Sequence, residues 1–176
     1  KVFTIDTSGV TRLVVSGGPE WGFESVSEQP LSAMMGQPLD AKWRDDGAIL
    51  ISIGGDRPCV KLFKDGRLST LVGNGRANYG DFQPGTATDV SLADPRVILP
   101  VGGDELLILE DTKSRLLRLG PDGEVTKVDE IGNLGRVVSL KMGNDGGLLT
   151  VDLVKDGVFR HKDGQSSLLC KLSELP

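Results

Sequence analysis

The sequence predicts an all-β fold assembled from repeated four-stranded antiparallel sheets. Three observations carry this. Three segments share one order of short apolar-alternating runs, the same Asp-Gly or Gly-Asp dipeptides punctuate those runs, and no helical period of ten or more residues lies between them. A doubly wound α/β sheet needs such helices between its strands and is excluded.

The first unit runs through 38–43, a turn at 44–47, 48–52, a break, 60–63, the turn Lys64-Asp65-Gly66 and 67–72. The second runs through 95–100, Gly102-Gly103-Asp104, 105–109, a break, 116–119, Pro121-Asp122-Gly123 and 124–128. The third runs through 136–142, Asn144-Asp145-Gly146-Gly147, 148–152, 158–160, Lys162-Asp163-Gly164 and 167–172. The turns sit between strands one and two and between strands three and four, where Asp and Gly tolerate the positive φ that tight hairpins require. The glycine of the outer turn recurs at Gly66, Gly123 and Gly164, and the second of these steps is close to the ~40–45 residues of a four-stranded propeller blade. The first step is longer because it contains an insertion over 73–94. Residues 2–17 match 60–73, since Gly9 precedes Gly66 by the interval that separates Gly66 from Gly123. The predicted architecture is therefore a β-propeller, incomplete in this chain. It comprises an outer half-blade over 1–17, blade one over 37–73, blade two over 94–129 and blade three over 135–173, with long loops at 18–36 and 74–93. A β-sandwich is the competing architecture, and the regular four-strand units favour radial repetition.

Alternation along the strands places Leu50, Leu107, Leu149, Leu62, Leu117 and Phe159 between neighbouring blades, with Trp43 filling a first-strand core position. His161, the one histidine, falls beside an outer turn and is expected to be solvated.

Composition limits the function. With 20 Lys and Arg against 25 Asp and Glu, the chain lacks the clustered cations that release counterions from a polyanion, so nucleic acid is excluded as a partner. The apolar runs at 48–53 and 106–109 are far below the ~18 residues of a membrane span, so membrane insertion is excluded. Cys59 and Cys170 have neither CxxC spacing nor neighbouring histidines, which leaves two thiols and an open redox compartment. The chain opens at Lys1 and enters a strand pattern at once, as a piece of a longer protein does.

The run Leu71-Val72-Gly73-Asn74-Gly75, followed by Tyr79-Gly80-Asp81, Pro84-Gly85-Thr86-Ala87-Thr88 and Ser91-Leu92-Ala93-Asp94-Pro95, resembles the long connecting loop of NHL-repeat β-propellers. Its continuation through Glu110-Asp111-Thr112-Lys113-Ser114-Arg115 to Pro121-Asp122-Gly123 is similar to that family's aspartate-to-arginine segment. Blade one replaces this segment with 52–58, and blade three shortens it to 152–157. The resemblance implies a ring of usually six blades that most often serves as a binding scaffold for protein, carbohydrate or, in some regulators, RNA. A minority carry lyase or hydrolase chemistry, with histidines and metals near the central channel. Three and a half blades do not close a ring, so the remaining blades are expected from the same gene product or another subunit.

Strand parity sets the tight turns on one face of the disc and the long loops on the other, and long loops on a rigid scaffold are where binding groups concentrate. The long-loop face holds the candidates Trp21, Phe23, Arg57, Arg76, Tyr79, Asp81, Phe82 and Arg115, together with Lys113. Aromatic residues there serve either blade packing or contact, and Arg115 is expected to pair with Asp111. The named loops carry twice as many acidic as basic residues, the wrong sign for RNA. Asp56, Asp81 and Glu110 have no EF-hand spacing for calcium, and no GxSxG or Ser-x-x-Lys motif occurs, so no catalytic residue, metal or cofactor is assigned. The sequence thus reads as a non-enzymatic scaffold for a protein or glycan in a larger extracytoplasmic or particle-associated assembly. The competing readings are a segment of a propeller lyase or hydrolase with its catalytic residues in the missing blades, and a structural subunit that recruits a neighbour by edge-strand pairing.

Overall fold

The computed structural model describes residues 1–15, 26–27, 36–110, 114–128, 131 and 134–175. β1 (Val2–Ile5) and β2 (Thr11–Val15) form a two-stranded antiparallel sheet. β3 (Val26–Ser27), β4 (Gln37–Trp43), β5 (Ile49–Gly54), β6 (Cys59–Lys64) and β7 (Arg67–Val72) form a sheet in the order β3-β7-β6-β5-β4. β8 (Gly85–Thr86), β9 (Pro95–Gly102), β10 (Glu105–Glu110), β11 (Arg115–Leu119) and β12 (Glu124–Lys127) repeat it as β8-β12-β11-β10-β9. β13 (Val137–Met142), β14 (Leu148–Asp152), β15 (Gly157–Lys162) and β16 (Gln165–Lys171) pair in sequence order, and a single 3-10 turn follows at Leu172–Glu174. These antiparallel sheets of four consecutive strands are the blades of a β-propeller, incomplete in this chain. No helix among the described residues is long and apolar enough to cross a membrane.

Two kinds of tight turn recur. Around Gly9, Gly47, Gly123 and Gly146 the chain makes one three-residue hairpin loop, closed by pairs such as Arg44 N–H to the Ala48 carbonyl (2.8 Å) and Gly47 N–H to the Arg44 carbonyl (3.0 Å). The glycine takes φ near +80°, which an L side chain resists. The aspartate before the turn glycine caps it: Asp46 and Asp145 each accept the N–H two residues ahead, at 3.2 and 3.0 Å. The second kind is the two-residue turn Asp65-Gly66 or Asp163-Gly164, with both residues at positive φ. A further regularity has no counterpart in the sequence pattern. The first strand of every blade bulges at its start, where the pairing passes over Leu39, Arg96 and Val138.

The core lies between the blades. Ile98, Ile108 and Leu117, all fully buried, meet Leu50, Val60 and Val72 between blades one and two, with Val90 and Leu92 of the long connection filling the junction. A second cluster joins Val97, Leu109, Leu116, Leu140 and Leu148 between blades two and three. A third seats Val2 and Val15 on Ile49, Ile51 and Ile53. Each such buried side chain contributes ~1.5–3 kcal/mol of transfer free energy.

Leu50, Leu107 and Leu117 are buried as expected, and Leu62 packs against the first cluster. Leu149 and Phe159 are half-buried instead: Leu149 is on the opposite face of β14 from Leu148, which packs towards blade two. Trp43 corrects the expectation outright, being 63% exposed. It is paired with Ile49, so both side chains share the face turned to β1 and β2, and that two-stranded sheet covers Ile49 but not Trp43. His161 is also corrected. It is buried, on the same face as its partner Leu148, and its Nε2 and Nδ1 lie 2.9 Å from Thr150 Oγ1 and 2.7 Å from Ser166 Oγ.

Urea unfolding tests the inter-blade account: Ile108→Ala is expected to lose ~2–5 kcal/mol, whereas Trp43→Ala should stay within ~0.5 kcal/mol, as surface changes do.

Candidate functional site

The long connection between blades one and two is built from its own side chains. Asn74 donates through Nδ2 to the Asp89 carbonyl (2.7 Å) and accepts Arg76 N–H at Oδ1 (2.9 Å). Asn78 repeats the device, donating to the Asp81 carbonyl (3.2 Å) and accepting Gly80 N–H (2.9 Å). Main-chain bonds from Gly73 to Ala87 (2.8 Å), Asn74 to Val90 (2.9 Å) and Asn78 to Leu92 (2.8 Å) zip the outgoing limb to the returning one. Between the limbs β8 pairs with β12, and Thr86 Oγ1 reaches Glu124 Oε1 at 3.1 Å. Asn and Asp side chains that bond nearby main chain favour such turns over regular structure.

Beneath the tip lies a buried ion pair. Glu110, last in β10 and fully buried, accepts Arg115 Nε on one carboxylate oxygen and Ala93 N–H on the other. Arg115 spends its remaining donors on the loop, with Nη1 2.9 Å from the Gly80 carbonyl and Nη2 3.3 Å from that of Asn78. Its guanidinium lies over Phe82, 5.3 Å from the ring centre. One charge pair therefore ties strand two, strand three, the entry to strand one and the loop tip together. The described partner of Arg115 is thus Glu110; Asp111, the partner expected from the sequence, lies outside the described residues, as does Lys113.

The candidates sort accordingly. Arg115 is buried and Phe82 half-buried, and both hold the loop. Arg76, Tyr79 and Asp81 are exposed on the loop so held, Tyr79 to 51%. Arg57 is exposed in the β5–β6 turn of the preceding blade. Trp21 and Phe23 lie outside the described residues. Sequence reasoning missed Glu110, Asn74 and Asn78 as the frame of the site; the available signal was a carboxylate at the end of strand two, five positions before an arginine.

The end of strand two is a repeated control point. In blade three Asp152 stands there, buried, accepting Gly135 N–H (2.7 Å) with one oxygen and the N–H groups of Val154 (3.0 Å) and Lys155 (3.1 Å) with the other. Gly135 precedes β13 by the same two residues by which Ala93 precedes β9. In blade one the position is Gly54, where a Cβ would come within 2.6 Å of Leu39 Cδ1. Among the described residues no three His, Cys, Asp or Glu side chains are grouped as a metal site requires.

On the opposite, tight-turn face a cleft of about 610 Å³ opens between blades two and three, floored by Leu107, Leu116 and Leu148, with His161 in its wall. Burial holds the His161 pKa below its ordinary value, helped by the positive charge of Lys155 and opposed by Asp152. Cys59 is buried and its thiol is pushed up to about 11, so it stays protonated at neutral pH.

No family model matches the chain, and no curated protein does. Solved structures do. A catalytically inactive virginiamycin B lyase from Staphylococcus aureus, solved with quinupristin, is 13% identical over 74% of this chain and 40% of its own, with a TM-score of 0.52. A selenomethionine-substituted virginiamycin B lyase from the same organism is 13% identical over 77% and 42%, with a TM-score of 0.49. A streptogramin B lyase structure is 13% identical over 81% and 57%, with a TM-score of 0.46. The chain spans 40–57% of the length of these proteins. At this identity the first likeness shows the β-propeller fold alone.

Two measurements test the geometry. Arg115→Met leaves the Glu110 carboxylate buried without its counter-charge and is expected to cost ~3–5 kcal/mol in denaturant unfolding. For His161 the folded pKa lies below the unfolded one, so the unfolded chain binds the extra proton. Stability is then unaffected above the unfolded pKa of ~6.5 and falls as pH drops from there towards the folded value. His161→Gln should flatten that part of the pH–stability curve.

Proposed function

We propose that this chain is part of an NHL-type β-propeller whose long-loop face binds a protein or glycan, with Arg76, Tyr79 and Asp81 of the 74–93 loop as the contact group and the exposed Arg57 of the preceding blade as a further contact. The observation that carries the reading is the buried Glu110–Arg115 pair, which fixes the main chain at Asn78 and Gly80 and leaves the Tyr79 ring between them exposed. An aromatic ring and a guanidinium presented on a fixed main chain lose little conformational entropy on binding, which suits them to act as anchors. The NHL assignment rests on the order of residues in 71–128. Further blades, from the same gene product or another subunit, would cover the apolar side chains exposed at the two ends, Phe3, Ile5 and Trp43 at one and Leu153 and Val154 at the other.

A lyase or hydrolase reading keeps one support, the fold likeness to a virginiamycin B lyase. Metal analysis of the longer gene product separates the two, since stoichiometric zinc or calcium favours the enzyme.

The binding reading is tested with a photo-crosslinking residue in place of Tyr79, in parallel with a glycan array. A discrete crosslinked protein that drops at least tenfold with Arg76→Ala, or a discrete glycan signal that drops at least tenfold with Arg76→Ala and with Tyr79→Ala, is expected. Labelling that is equal for a crosslinker at Thr88, or array signals that the two variants leave unchanged, overturns it.

A further inference from the structure

Of the four asparagines in the sequence, Asn74 alone is followed by glycine; Asn78, Asn133 and Asn144 precede Tyr79, Leu134 and Asp145. An asparagine before glycine is open to spontaneous loss of ammonia, because a residue without Cβ lets its main-chain nitrogen close on the preceding carboxamide carbon. The fold requires the pair. Gly75 has φ +74°, a conformation that favours glycine, so the turn that starts the long connection sets the reactive dipeptide there.

The same carboxamide ties the two limbs of the connection. Asn74 is half-buried, and its Nδ2 donates to the Asp89 carbonyl (2.7 Å) and to Ser91 Oγ (3.0 Å) on the returning limb. Its Oδ1 accepts Arg76 N–H (2.9 Å) and lies 3.2 Å from the Ser91 hydroxyl. Its main-chain N–H donates to the Val90 carbonyl (2.9 Å). An ionised carboxylate is an acceptor only, so it cannot repeat the bond to the Asp89 carbonyl.

We propose that Asn74 is a one-way modification site: its deamidation is held back while the limbs are zipped together and, once it has occurred, keeps them from closing again. When the limbs part, Gly75 N attacks Asn74 Cγ. The new N–C bond replaces the Cγ–Nδ2 bond, and Nδ2 leaves as ammonia with the proton of the Gly75 amide. Water then opens the cyclic imide. Cleavage at Cγ gives aspartate, and cleavage at the Asn74 main-chain carbonyl gives isoaspartate, with Gly75 carried on the side chain. In the zipped loop the leaving nitrogen is bound to the returning limb, and cyclisation must rotate a main chain that the Val90 bond holds. Either product sets a carboxylate against the Asp89 carbonyl, and isoaspartate also lengthens the main chain by one carbon between the bonds at Val90 and Arg76. Arg76 and Tyr79 follow on the same limb, so conversion also displaces the contact group; that consequence alone rests on the binding reading.

The test needs no ligand. The full chain is incubated at mildly alkaline pH, native and unfolded in urea, and conversion at residue 74 is followed by peptide mass spectrometry. Native conversion should be at least tenfold slower than unfolded. Ser91→Ala, which removes a bond at each end of the carboxamide, should raise the native rate at least threefold and leave the unfolded rate unchanged. Asn74→Asp supplies the aspartate product directly. Trypsin should cut it after the exposed Arg76 at least tenfold faster than the parent chain, with cleavage after Lys155 in blade three unchanged, because proteolysis follows the population of the opened segment. Four results overturn the proposal: equal native and unfolded rates, a native rate indifferent to Ser91→Ala, Asn74→Asp as resistant at Arg76 as the parent, or equal acceleration at Arg76 and Lys155. The last would assign the effect to the whole fold rather than to the loop.

Discussion

The Glu110–Arg115 pair is the constraint on which the long connection and the entry to blade two depend. Taking two charges out of water is costly, and the cost is offset only where the remaining lone pairs and donors are satisfied. Here they are. Glu110 also accepts Ala93 N–H, and Arg115 donates to two loop carbonyls and lies over Phe82. Strands two and three, the residue before strand one and the loop tip thus converge on one pair. The loop above it is shaped by short-range Asn bonds, but its position relative to blade two is set by the guanidinium.

The three blades show how one scaffold accepts different solutions at the same point. At the end of strand two, blade two uses a glutamate with an arginine, blade three an aspartate with three main-chain donors, and blade one a glycine. The two carboxylates capture the N–H two residues before strand one, which fixes where the chain enters the blade. The outer hairpin varies in the same manner. Phe63 and Leu68 face each other across blade one, and Leu119 and Val125 across blade two. Blade three has His161 and Ser166, a hydrogen-bonded pair on the wall of a cleft. A long connection fills the junction of blades one and two with Val90 and Leu92, and a short one leaves space between blades two and three.

Much of this was legible in the sequence, and the failures follow a rule. Strand positions and turns were readable because alternation and Asp-Gly turn chemistry are local, and the positive φ at Gly47, Gly66, Gly123, Gly146 and Gly164 follows from them. Trp43 and His161 were misplaced because alternation says which residues share a face but not what covers that face. Trp43 shares a face with buried Ile49 and is still exposed, since the two described strands opposite, β1 and β2, cover Ile49 but not Trp43. His161 sits beside a solvated turn and is still buried, since its face turns towards blade two. Glu110 as a partner of Arg115 was not read from the sequence for a related reason: the strand pairing of Glu110 with Arg115 sets that contact, and the expected partner Asp111 lies outside the described residues.

The sequence by itself determined the class of fold, the order of strands in each repeat, the positions of the Asp-Gly turns and the acidic character that disfavours polyanions. Each of these depends on residues within a few positions of one another, or on composition alone. Tertiary structure decided, among the described residues, which carboxylates are buried, which connections add a fifth strand and which aromatic residues remain exposed. Those outcomes depend on the path of aperiodic connections across neighbouring blades, and no local period encodes that path.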